Sequence, residues 1–324
     1  QIGNEEVTNG DFSQEGSELI PDGNFTNQAA VDFWSIAATG GVERATKSLE
    51  DGFMRLTYDT TNPAALFKGS LLTSGKIYKV TFRAKGTATN KFGSIGDNGN
   101  IDSNPQYAIS NPNLTTSFQN YEFYVPVTSS LLRMYLTGAI SVGQTLDITN
   151  ISVKEVGIDW TFSGWGMGDN NQAVLTGTGQ GNNLFQQALT QNDSYEAIID
   201  VVVTQGSVRV LIGGGTGGYN QIGEATSTGT FTYYGKSSGS SNNVLLQSGN
   251  NSIPNSVKIN SISIKQIGQN WIVNDSDANN YVEFNGSTAR LKFLNTSPVT
   301  QLVAQGSTVI SGKTYRLIVD VASV

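Results

Sequence analysis

Few residues in this chain could do chemistry, and the sequence itself disarms most of them. Its 324 residues include no histidine and no cysteine. That removes the commonest general base and metal ligand, together with thiol nucleophiles, thiolate metal sites and disulfides. Gly213-Gly214-Gly215-Thr216-Gly217-Gly218 matches the GxGxxG spacing and follows the strand-like Val208–Ile212. A dinucleotide site needs a helix N-terminus behind its glycines. Tyr219-Asn220-Gln221-Ile222-Gly223 is no helix, so the segment reads as a flexible loop at a module tip. Asn274-Asp275-Ser276-Asp277-Ala278-Asn279 opens like a calcium loop, but Asn280 and Gly286 stand where that loop requires glycine and glutamate, so it reads as a polar turn. Two carboxylates suffice for glycoside hydrolysis, yet no acidic residue lies in a context that marks it. The expectation is a protein without catalytic activity.

Bulk composition narrows the partners. Lys+Arg number 19 and Asp+Glu 26, for a net charge of −7, which argues against nucleic acid. No apolar run approaches the ~18–20 residues that span a bilayer, so membrane insertion is not expected. Charged residues are only 14%, while 37 residues are glycine and Asn, Ser and Thr abound. Such a surface suits extracellular or virion proteins and contact with carbohydrate. The chain opens on Gln1 without a signal-peptide pattern and reads as a piece of something longer.

The elements that must position any site are strands. Ile77–Ala84 alternates with period two, placing Tyr78, Val80, Phe82 and Ala84 on one face. Comparable runs are Tyr121–Val127, Leu131–Leu136, Tyr195–Val203, Ser207–Ile212, Phe231–Tyr234, Val244–Gln247 and Tyr315–Val321. Turn-forming clusters separate them, the pattern of a sandwich or barrel. One stretch, Asn183–Leu189, reads weakly as a short helical turn.

These elements recur. Ile148-Thr-Asn-Ile-Ser-Val-Lys-Glu-Val-Gly157 returns as Ile259-Asn-Ser-Ile-Ser-Ile-Lys-Gln-Ile-Gly268, and Trp160 as Trp271, at a constant offset of 111 residues. That period suits a whole domain. Ser74-Gly75-Lys76-Ile77-Tyr78 recurs as Ser311-Gly312-Lys313-Thr314-Tyr315, with a degenerate form at Asn192–Tyr195. The strands Phe53–Thr57, Gln172–Thr176 and Thr288–Lys292 correspond, each preceded by Trp34, Trp160 or Trp271. The expected modules are 1–157, 158–268 and a partial third at 269–324, whose closing strand should lie beyond Val324 or come from another chain. A smaller duplication marks the N-terminus: Val7-Thr-Asn-Gly-Asp-Phe-Ser13 resembles Ile20-Pro-Asp-Gly-Asn-Phe-Thr26 at an offset of 13. One copy is expected to start the first module. The other reads as a remnant of a preceding module or an added edge strand. The recurring tryptophans read as packing residues, whereas Trp165 has no counterpart and is the better contact candidate.

The order of these motifs resembles the jelly-roll modules of the carbohydrate-binding family 4/9 type. Its elements are an NGDF-like start (Asn9–Phe12, Asp22–Phe25), a tryptophan (Phe33-Trp34), an SGK-Tyr strand and a closing ITNISVKEV strand. The tandem copies resemble those of bacteriophage tail, fibre and virion-surface proteins. The resemblance implies an all-β fold of tandem antiparallel β-sandwich (jelly-roll) modules. It also implies aromatic residues that stack on sugar rings while amides and carboxylates bond the hydroxyls. On that footing Trp165, Tyr124, Tyr135 and Tyr233 are the glycan-binding candidates. Adjacent residues such as Phe123 and Tyr124, or Tyr233 and Tyr234, face opposite sides of a strand, so only one of each pair can face a cleft. Many family members hold a structural calcium, and Asp22, Asn24 and Asp147 fall in comparable places. No other cofactor is expected. The partners implied are other virion proteins, further copies of this chain in a homo-oligomer, and host surface glycans. The alternative is a carbohydrate-binding appendage of a secreted bacterial polysaccharide-degrading enzyme or adhesin.

Overall fold

The computed structural model describes residues 2–316 apart from 37, 40–41, 62–63, 87–89, 97–113, 139–140, 178–180, 217, 250–253, 270, 275–279, 286–287, 294–301, 305–312 and 315. The fold is all-β, built as two-sheet antiparallel sandwiches. The first has a sheet in the order Gln119–Pro126, Ile77–Gly86, Thr145–Val156, Phe53–Tyr58, Ala45–Glu50. Its second sheet runs Ser35–Ile36, Ala65–Lys68, Leu132–Gly138, Asn90–Gly96. The second sandwich repeats the plan. Its large sheet runs Trp165–Gly168, Gln172–Gly177, Asn255–Ile267, Ser194–Gln205, Gly229–Lys236. Facing it are Thr161–Ser163, Asn183–Gln187, Asn243–Ser248, Val208–Gly213 and Tyr219–Ala225. Residues of the expected third module form two antiparallel pairs, Ile272–Asn274 with Leu302–Ala304 and, between them in sequence, Asn280–Asn285 with Thr288–Phe293.

Period-two patterning explains each core. Val80, Phe82 and Ala84 from one sheet meet Leu66, Leu132 and Met134 from the other, around Trp34 and Tyr58. In the second sandwich Ala197, Ile199 and Val201 meet Val208, Val210, Leu184 and Leu246. The SGK-Tyr tyrosines tie their own turns: Tyr78 Oη accepts from Thr73 N–H at 2.9 Å, and Tyr195 Oη from Thr190 N–H at 2.7 Å. The sandwiches abut without a linker, since Ile77 and Val156 of the first share a buried cluster with Trp160 of the second.

One local expectation is corrected. Asn183–Gln187 is a strand, paired with Asn243–Gln247, rather than helical. Cross-strand partners on both sides of Asn183–Phe185 and on one side of Gln186 and Gln187 outweigh the weak local preference of a short polar stretch. The glycine-rich segment at 213 is a tight hydrogen-bonded turn: Gly214 N–H donates to Gly218 O and Ser238 O, and Gly214 bridges Gly239. Glycine is required at 214, where φ is +109° and a Cβ would overlap the Tyr219 ring. The Asp275–Asn279 turn and most of Ser311–Val321 lie outside the described residues.

Candidate functional site

A polar patch lies on the outer face of the second sandwich's smaller sheet. Its strands Asn243–Ser248 and Val208–Gly213 send Val244, Leu246, Val208, Val210 and Ile212 into the core. Alternate residues therefore point the other way. Register aligns them in rows across the sheet. Asn183, Gln247, Arg209 and Glu224 form one row, Phe185, Leu245, Leu211 and Gln221 the next, and Gln187, Asn243, Gly213 and Tyr219 a third. Leu245 and Leu211 are 2% and 8% exposed although they face away from the core, so the centre of the middle row is apolar and covered.

Each flanking row is hydrogen-bonded within itself. Gln247 Nε2 donates to Asn183 Oδ1 at 3.0 Å, and Arg209 Nη2 donates to Gln247 Oε1 at 2.7 Å and to Ser248 O at 3.1 Å. Ser207 Oγ donates to Glu224 Oε1 at 2.5 Å. Asn243 Nδ2 donates to Tyr219 Oη at 3.1 Å. Two atoms are left over: Asn243 Oδ1 and Arg209 Nε are buried and have no protein partner. Buried groups of this kind normally find one. Tyr219, with 43% of its surface exposed, and the half-buried Phe185 add aromatic rings beside them.

The glycan candidates read from sequence lie elsewhere. Trp165 is 5% exposed and sits in the core of the second sandwich, so its ring presents no platform to solvent. Tyr124 packs against the second sandwich's cluster from the first, with Lys79 over its ring at 5.9 Å and its Oη on Glu122 Oε1 at 3.1 Å. Burial first, then the Glu122 carboxylate, push its phenol up. Tyr233 lies on the inward side of the large sheet's edge strand, stacked parallel to Phe231 at 6.2 Å and closing over Gly223. Burial likewise raises its phenol. In the first sandwich Tyr121 stacks across strands on its register partner Phe82 at 5.3 Å. Tyr135 pairs with Ala65 and Ser94 in the smaller sheet of the first sandwich.

Asp22, Asn24 and Asp147 do not fit a shared calcium site. Asp147 is clamped by Arg55 at 2.7 and 2.8 Å and approached by Lys85 at 3.4 Å. Two cations already neutralise it. Asp22 accepts from Thr26 N–H and Oγ1 at 2.9 and 2.7 Å, which holds its carboxyl below the ordinary range. Among the described residues, no group of three or more His, Cys, Asp or Glu could hold a metal ion, and no helix is long and apolar enough to cross a membrane.

Sequence reasoning missed the patch because it looked for aromatic clusters. The usable signal was weaker: single polar residues such as Asn183, Arg209 and Gln247 interrupt otherwise apolar strands.

No protein-family model and no curated protein matches the chain. Among solved structures, it is similar to the N-terminal CBM22-1–CBM22-2 tandem domain of Xyn10C from Paenibacillus barcinonensis, at 12% identity and a TM-score of 0.36 over 78% of this chain and 99% of that one. It is also similar to a CBM4 structure, at 21% identity and a TM-score of 0.29 over 46% of this chain and 99% of that one. A third is truncated AlyQ with CBM32 and alginate lyase domains, at 10% identity and a TM-score of 0.21 over 72% of this chain and 99% of that one. Likenesses at these TM-scores carry no functional weight. The chemistry of the patch has to supply it.

Proposed function

We propose that this chain is a non-catalytic, carbohydrate-binding spacer of an extracellular particle: a virion-surface or tail-fibre component whose sandwiches hold glycan-binding faces at fixed spacing. One observation carries the reading, the outer face on which the exposed Tyr219 and the half-buried Phe185 flank amide and guanidinium groups, with Asn243 bonded to Tyr219 through Nδ2 and its Oδ1 left without a protein partner. A sugar suits such a face. Its hydroxyls donate to an amide oxygen and accept from a guanidinium, and its C–H face stacks on a ring. Glu224 and Arg209 add charge, but nothing in the patch pairs two carboxylates as glycoside hydrolysis would require.

Tandem modules suit multivalent adhesion, because weak sites on one particle gain avidity from repetition. Host surface glycans are then the ligands, and other virion proteins or further copies of this chain are the neighbours. The test is a glycan array followed by titration of each hit against the wild type and Tyr219→Ala. Binding that weakens several-fold in the variant supports the reading. An array with no hit at high protein concentration leaves spacing alone and refutes adhesion.

A further inference from the structure

The N-terminal duplication serves two different sandwiches. The copy at Ile20–Thr26 lies along the first sandwich's closing strand, Thr145–Val156. Ile151 N–H donates to Gly23 O at 3.0 Å, and Leu19 N–H to Val153 O at 3.0 Å. Glu18 takes Val153 N–H at 2.8 Å and Ser152 Oγ at 2.5 Å. The copy at Val7–Ser13 makes the same bonds with the second sandwich's closing strand, Asn255–Ile267. Ile262 N–H donates to Gly10 O at 2.8 Å, and Glu6 N–H to Ile264 O at 2.8 Å. Glu5 takes Ile264 N–H at 2.6 Å and Ser263 Oγ at 2.5 Å. Every pair is displaced by 13 residues on one side and 111 on the other.

The match extends to sterics. A Cβ on Gly23 would overlap Ile151 O, and a Cβ on Gly10 would overlap Ile262 O. Phe25 and Phe12 hold φ of +53° and +56° and are 1% and 0% exposed. Phe12 packs on Trp160 at 5.4 Å, and the indole N–H of Trp160 donates to Asn9 O at 3.0 Å. Gln186 reaches back to both the N–H and the carbonyl of Thr8.

We propose that residues 2–13 are the first strand of the second sandwich, carried on the far side of the first in sequence, and that the seat they fill is an interaction site. Its partner is defined chemically: an extended segment of this chain with a glutamate five residues before a glycine and a phenylalanine two after it. The first sandwich is in effect inserted into the second, and the seat accepts the same segment in trans.

Two full-length variants, Gly10→Val and Gly23→Val, compared by hydrogen exchange resolved along the sequence, test this. Forcing a side chain against backbone should lower protection locally by about tenfold or more. Gly10→Val should lower it in 194–205 and 255–267 and spare 53–58 and 77–86. Gly23→Val should do the reverse. A chain shortened to start at Gln14 should lose protection at 255–267 and regain it with a synthetic peptide of residues 1–13, but not with its Phe12→Ala form. Equal effects of the two glycine variants on both sandwiches, or a shortened chain fully protected at 255–267, would overturn the proposal. If the shortened chain does not fold, the glycine pair decides alone.

Discussion

Replacing Asn243 by leucine separates what the patch does for stability from what it does for binding. In the free protein Asn243 Oδ1 is buried without a partner, while Nδ2 donates to Tyr219 Oη at 3.1 Å. An unmet buried acceptor costs about 1–3 kcal/mol, and a neutral hydrogen bond returns about 0.5–1.5 kcal/mol. Leucine has nearly the same shape, so it removes the cost and forfeits the return. The net change runs from a loss of about 0.5 kcal/mol to a gain of about 2.5 kcal/mol. Binding should move the other way. A sugar hydroxyl that donates to Oδ1 loses its acceptor, about 1–3 kcal/mol, or roughly 5- to 150-fold in Kd. Urea unfolding followed by tryptophan fluorescence reads the first effect, and calorimetric titration with an array hit reads the second. A variant destabilised by more than about 1.5 kcal/mol that binds as tightly as the wild type would refute the reasoning, because the asparagine would then be a structural strut.

Three further outcomes follow from the structure. Trp271 is 45% exposed while Trp34, Trp160 and Trp165 are 1%, 6% and 5% exposed, so Trp271→Phe should abolish most acrylamide quenching and shift the remaining emission to the blue. Asp147→Asn strands Arg55 and Lys85 without their anion and should cost about 1–3 kcal/mol; calcium or a chelator should leave the wild-type melting temperature unchanged, since both cations already sit on that carboxylate. Glu15 is held below its ordinary value of 4.5, foremost by the hydrogen bond from Lys154 at 3.0 Å, against the opposing pull of partial burial. Its folded pKa is depressed, so its contribution is complete above about pH 4.5 and is lost as pH falls below that value. Unfolding curves of Lys154→Met should be flatter than wild type across that window.

The sandwich fold was legible because its signals are local. Alternation in Ile77–Ala84 fixes which side of the strand is buried, and Tyr78 and Tyr195 each bond a turn five residues away in sequence. The site was less legible because its elements are not. Asn183, Arg209 and Gln247 become neighbours only through the register of three strands, and none of them is unusual in its own segment. Trp165 failed as a candidate for a related reason. A tryptophan without a repeat counterpart looks free for function, but only the strand pairing of Trp165 with Leu175 shows which side of the sheet it takes.

The repeated phrase and the small N-terminal duplication carry different kinds of information. The offset of 111 between the closing strands could be counted directly, and so could the offset of 13 between the Gly-Asx-Phe copies. Nothing in either count says which copy belongs to which closing strand. That assignment rests on the glutamates, Glu5 and Glu18, each of which takes the serine hydroxyl and the next backbone N–H of an Ile-Ser-Ile or Ile-Ser-Val run. The serine in the phrase thus has a partner, and the partner lies 134 residues away in one case and 258 in the other. Sequence proximity would have joined both copies to the first sandwich. Matching each Ser-containing closing strand to its own glutamate-bearing segment joins each to its own sandwich, and Trp160, which packs on Phe12 and donates its indole N–H to Asn9 O, is the physical reason the longer route is worth closing.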